Sequence, residues 1–155
     1  MVLFFGRQLE PALGPVRFLV LYLGGVLASA LAWLYTAHMP PEDPTLLLGA
    51  SGAIFALLFA YAVFDPKRSL IVLLFFIIPI KVSVRTLTIF VFITEIIFLR
   101  YDFVSNFMQT LFQTPDIQVA HMDHLGGAVF GFLIMTLWRV RATTVYPIVI
   151  SDSNL

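Results

Sequence analysis

The chain contains no cysteine, so disulfides, thiolate metal sites and thiol catalysis are excluded. Charge is nearly as scarce. Asp, Glu, Lys and Arg make up 12% of the 155 residues, against about a quarter in an average soluble domain. The few charges also balance, nine basic against nine acidic, leaving no excess to neutralise phosphates, so no nucleic-acid partner is expected. Low hydrophobicity, which disorder requires, is missing as well. Apolar residues make up 60% of the chain and the mean hydropathy is +0.97. So few polar groups cannot coat a water-soluble surface. The composition describes an all-α, polytopic integral membrane protein, and the length allows one domain.

A spanning helix needs about 20 mostly apolar residues. Four stretches meet that need, at about 18–37, 46–64, 82–99 and 120–138. A fifth apolar run, 69–80, is too short, and it is bracketed by Lys67 and Arg68 on one side and by Lys81 and Arg85 on the other. Basic residues favour the cytoplasmic face. Arg7, Arg17, the four around the short run, Arg139 and Arg141 fall on alternate loops, and only Arg100 falls on the opposite side. This predicts four spans with both ends cytoplasmic. The short run should lie along, or dip into, the cytoplasmic face. Residues 142–155 read as a flexible cytoplasmic tail behind a membrane domain of residues 1–141.

Two polar clusters interrupt these spans. One is Gly49-Ala50-Ser51-Gly52, near the start of the second span; the other, His121-Met122-Asp123-His124-Leu125-Gly126-Gly127, opens the fourth. Both spans begin on the non-cytoplasmic side. At 1.5 Å per residue, Ser51 lies roughly 8 Å and His124 roughly 6 Å below their helix starts. A serine hydroxyl becomes a nucleophile when a base within about 3 Å takes its proton, and histidine is the usual base. Matching depth makes that pairing possible.

The approach of two helices requires small residues. Gly49 and Gly52 flank Ser51, and Gly127 and Gly131 form a G-x-x-x-G on the stripe of His124. Phe55, one turn below Ser51, is placed to press on the imidazole. Backbone N–H groups at the start of the second span are placed to stabilise an oxyanion. Taken one at a time, these features are equally those of a packing interface, and the residues alone leave both readings open. Asp123 directly precedes His124 and points about 100° away around the helix, which makes it a poor partner acid. His121 reads as a structural hydrogen-bonding residue. Glu95 lies about 6 Å from the outer end of its span. It is expected chiefly to reach water, with pairing to His121 as the alternative.

At these residues the sequence resembles the rhomboid intramembrane serine proteases. Gly49-Ala50-Ser51-Gly52 is similar to the family's G-x-S-G, and His124, Gly127 and Gly131 to its H-x-x-G-x-x-x-G. Phe5-Gly6-Arg7-Gln8-Leu9-Glu10 with Leu13-Gly14 looks like its F-G-x-x-L-E-x-x-x-G turn. The resemblance covers about residues 4–140, with Asp123 a departure where relatives more often carry a small residue. It implies a rhomboid-like bundle with about four of the family's six helices present. The first helix and most of the second, which supplies a His and an Asn to the oxyanion, would lie upstream of Met1, so the chain reads as truncated.

The resemblance also implies a Ser51–His124 dyad cleaving transmembrane segments of other membrane proteins near the non-cytoplasmic boundary, with no cofactor. Phe55 takes the place of the aromatic that stacks on the base. Two alternatives accompany it. One is an inactive rhomboid-like scaffold that binds transmembrane segments without cutting. The other is a metal or haem site at His121, His124 and Glu95, against the main expectation of no metal.

Overall fold

The computed structural model describes residues 2–36, 51–74, 77–101 and 121–142. Five helices are present among them: α1 (Val2–Leu13), α2 (Pro15–Thr36), α3 (Ser51–Phe64), α4 (Val84–Tyr101) and α5 (His121–Trp138). Between α3 and α4 stand two strands, β1 (Ser69–Leu74) and β2 (Ile78–Ser83). Gly49, the loop expected at 100–119 beyond Tyr101, and the tail beyond Ala142 lie outside the described residues.

Gly14 separates the first two helices. Its φ of 77° suits a residue without Cβ, and its N–H bonds back to the Glu10 carbonyl at 2.8 Å, closing α1. Pro15 then opens α2 at a position where no N–H is missed. α1 lies against α3 through buried Phe5 and Leu9, and the Tyr61 hydroxyl donates to Gln8 Oε1 at 2.5 Å.

α3 is the central post. Ten of its 14 residues are buried, so it needs no polar face. α2 and α5 close on it by small residues. A methyl group on Gly25 would strike Ala56 Cβ, one on Gly127 the Gly52 carbonyl, and one on Gly131 the backbone of Ala56. At Gly127 and Gly131 the space is occupied by backbone, which cannot retreat, and at Gly25 by the Cβ of Ala56, which is fixed directly to the backbone of α3.

The all-helical expectation is corrected at the short apolar run. β1 and β2 pair antiparallel, with Ser69 opposite Ser83, Val72 opposite Ile80 and Leu74 opposite Ile78. Six residues per strand, rich in Leu, Ile and Val, satisfy their backbone by pairing where twelve could not span as a helix. The hairpin feeds straight into α4. Ser83 Oγ caps the Thr86 N–H at 3.1 Å, and the Val84 N–H donates to the Arg68 carbonyl at 2.8 Å.

Several contacts fix the helix directions. The Arg17 guanidinium sits 5.7 Å from the Trp138 ring centre, and Arg141 Nη1 donates to the Val63 carbonyl at 3.1 Å. The start of α2, the end of α3, the start of α4 and the end of α5 therefore share one end of the bundle. That end collects the arginines and lysines other than Arg100. The opposite end collects Ser51, Glu95, His121 and His124.

Large apolar side chains lie on the outside of the bundle as well as in its core. Leu19, Leu23, Leu27, Leu31, Ile89, Ile93, Phe132 and Leu137 are exposed, whereas Ser29, Glu95, His121 and Asp123 are buried. A hydrocarbon solvent selects this arrangement. Among the described residues one helix segment, Pro15–Tyr35, is long and apolar enough to cross a bilayer by length and composition. α4 is interrupted by Arg85, Glu95 and Arg100, α5 opens on His121, Asp123 and His124, and α3 is described over 14 residues.

Candidate active site

The site lies where α3, α4 and α5 meet, at the end of the bundle away from the basic cluster. α3 contributes Ser51 and, one turn on, Phe55. The Phe55 ring lies on the His124 imidazole, with centroids 4.2 Å apart and planes 5° from parallel. One face of the imidazole is thereby covered and its plane fixed.

α4 contributes Glu95, whose carboxylate bridges the two histidines of α5. Oε1 is 2.9 Å from His124 Nδ1 and Oε2 is 2.6 Å from His121 Nδ1. An ionised carboxylate only accepts, so each Nδ1 must carry the proton. In the neutral imidazole His124 Nε2 then keeps its lone pair, the form a general base needs. The expectation that Glu95 chiefly reaches water is corrected: it is 9% exposed, with both oxygens engaged. In an apolar bundle two neighbouring N–H donors stabilise a carboxylate better than a long reach to the boundary. The imidazole of His121 packs against Phe98 at 5.8 Å and bonds only to Glu95 among the described residues.

Asp123 is buried and lies away from Glu95, facing α3. The Ser51 hydroxyl donates to Asp123 Oδ2 at 3.4 Å, a long hydrogen bond. No hydrogen bond joins Ser51 to His124 among the described residues. Asp123 Oδ1 sits over Gly52, as does Ser29 Oγ, so that no Cβ fits at Gly52. Ser29 Oγ is itself buried with no hydrogen-bond partner. The Ser51–Asp123 contact is absent from the sequence reading. It follows from the same turn that takes Asp123 off the His124 stripe and onto the face toward α3.

The ligand atoms of Glu95, His121 and His124 all lie within 4.8 Å of one another, a donor set that zinc accepts. The same three groups satisfy one another by hydrogen bonding without an ion. Gly127 and Gly131 carry no chemistry; they bring α5 onto α3 so that Phe55 and His124 can touch.

An apolar helical bundle with apolar side chains on its outside, a serine at the start of its central helix and a carboxylate-held histidine on a glycine-rich neighbour define a class of membrane protein. The family model described as Rhomboid domain matches residues 1–141. The chain belongs to the rhomboid family, which comprises intramembrane proteases and inactive homologues. No curated protein and no solved structure matches the chain.

Proposed function

We propose that the chain is an intramembrane serine endopeptidase that cuts transmembrane segments of other proteins, with Ser51 as nucleophile and His124 as base. The observation that carries this reading is the setting of His124. Phe55 fixes its plane and Glu95 accepts a hydrogen bond from Nδ1–H, so that Nε2 of the neutral ring is free to accept a proton. In the reaction Ser51 Oγ attacks the scissile carbonyl carbon as its proton passes to His124 Nε2. The tetrahedral oxyanion is met by backbone N–H groups around Ser51 and Gly52. His124 then gives the proton to the leaving amine, and water, activated by the same nitrogen, releases the acyl group. Glu95 and His121 act through His124 and touch no substrate. No cofactor or metal takes part.

The membrane reading is four spans, with the basic end of the bundle in the cytoplasm and the site toward the other face. The alternation of basic loops supports it, as does the exposure of apolar side chains on α2, α4 and α5.

A second reading, an inactive scaffold that holds transmembrane segments, is favoured by one contact: the Ser51 hydroxyl is directed to Asp123. Catalytic hydrogen bonds often form only when substrate is bound, so the two readings differ in what substrate does. A fluorophosphonate probe on protein in bilayers separates them. The peptidase labels covalently, and Ser51→Ala and His124→Ala each abolish the labelling. Labelling retained in either variant, or none in the wild type, sinks the peptidase.

A further inference from the structure

At the basic end of the bundle α4 and α5 enclose a cavity of about 480 Å³ that α3 floors. The two helices are tied at the opposite end, where Glu95 bonds His121 and His124, and among the described residues no comparable hydrogen bond joins them here. The walls are apolar: Phe59 from α3, Ile89 and Phe92 from α4, and Phe132 from α5. The volume is that of a small-molecule pocket, roughly 300–1,000 Å³.

Two arginines, Arg85 and Arg141, belong to the same lining. Arg141 is tethered by its Nη1 bond to the Val63 carbonyl, which leaves its other N–H groups to donate. Among the described residues neither arginine has a carboxylate within salt-bridge distance. The hydroxyls of Thr88 and Thr136, also in the lining, donate to carbonyls of their own helices and place no polar demand on the cavity. Ile89 and Phe132 are 51% and 50% exposed, so the cavity opens sideways to whatever surrounds the helices.

We infer that this cleft is a binding site for one anionic phospholipid. The phosphate sits between Arg85 and Arg141, and an acyl chain runs along Ile89, Phe92 and Phe132. Arginine matches a phosphate with paired N–H donors, and basic pockets between membrane helices recognise anionic head groups. A water-soluble anion would leave the apolar walls uncovered, and a neutral lipid would leave the arginines unpaired. The inference rests on the membrane reading and not on the peptidase.

The experiment is native mass spectrometry of the purified full chain, released from vesicles of phosphatidylcholine with and without phosphatidylglycerol. One phosphatidylglycerol is expected to stay bound per chain. The double variant Arg85→Gln/Arg141→Gln should weaken its retention roughly 10- to 30-fold, from about 1 kcal/mol per basic residue. Ala62→Phe, which fills the cleft from α3 without changing charge, should lower it as well. It also stands as the test if the double arginine variant fails to fold. Lys67→Gln/Lys81→Gln, an equal loss of charge in the hairpin and the turn leading into it, should leave retention unchanged.

Three results would overturn the site. One is equal retention of the neutral and anionic lipids. Another is an equal loss in the hairpin variant, which would mean surface charge alone. The third is displacement of the lipid by inorganic phosphate, which would mean an anion site without an acyl chain.

Discussion

Glu95 Oε1 lies 2.9 Å from His124 Nδ1, on the side of the imidazole ring away from the nitrogen that the proposed chemistry uses. The carboxylate comes from α4 and the histidine from α5, 29 residues apart. The bond therefore holds the imidazole of the proposed base and also ties two helices together. Glu95→Gln should keep much of the tie while weakening the hold on the Nδ1 proton. Fluorophosphonate labelling of Ser51 is expected to slow by roughly 10²-fold or more, within the range a general base contributes, with thermal stability little changed. Labelling at the wild-type rate would leave Glu95 a structural residue.

Phe55 covers one face of the same ring. Phe55→Leu keeps an apolar filler but loses the stacking, which is worth about 0.5–1.5 kcal/mol. The expected result is a folded protein that labels roughly 2- to 10-fold more slowly. A rate equal to wild type would mean that Glu95 alone positions His124.

Asp123 holds the Ser51 hydroxyl in a direction that does not serve attack. Asp123→Ala removes the competing acceptor, whose net worth is about 0.5–1.5 kcal/mol. Labelling should therefore rise roughly 2- to 10-fold. A fall would instead make Asp123 a working part of the site, and the measurement is the labelling rate at saturating probe.

Gly131 meets the backbone of Ala56, which cannot retreat as a side chain can. Gly131→Ala should destabilise the bundle by about 1–3 kcal/mol or more, seen as a lower melting temperature in detergent. Stability equal to wild type would mean that α5 does not pack on α3 at that depth.

The four-span reading can be checked directly because the chain has no cysteine of its own. Single cysteines placed at Ser69, Arg139 and Thr114 provide the test. The first two should react with a membrane-impermeant thiol reagent from one face, and the third from the other. Reaction of all three from the same face would overturn the topology.

Much of this protein was determined by local chemistry and is legible in the residues. The apolar runs follow from composition, the common end of Arg17, Arg68 and Arg139 from loop charge, and the break at Gly14-Pro15 from backbone preference. The depth arithmetic that placed Ser51 and His124 on one side also covered Glu95, whose distance of about 6 Å from its helix end matches that of His124. Depth along a helix follows from counting residues.

Direction around the bundle axis does not, because it depends on which helix stands next to which. Only the packed helices decided that Glu95 turns inward to both histidines, that Asp123 faces Ser51, and that β1 and β2 pair as a hairpin. The first two outcomes satisfy polar groups across elements far apart in sequence, and the hairpin satisfies backbone groups between neighbouring strands, in a setting where an unpaired polar group costs several kcal/mol.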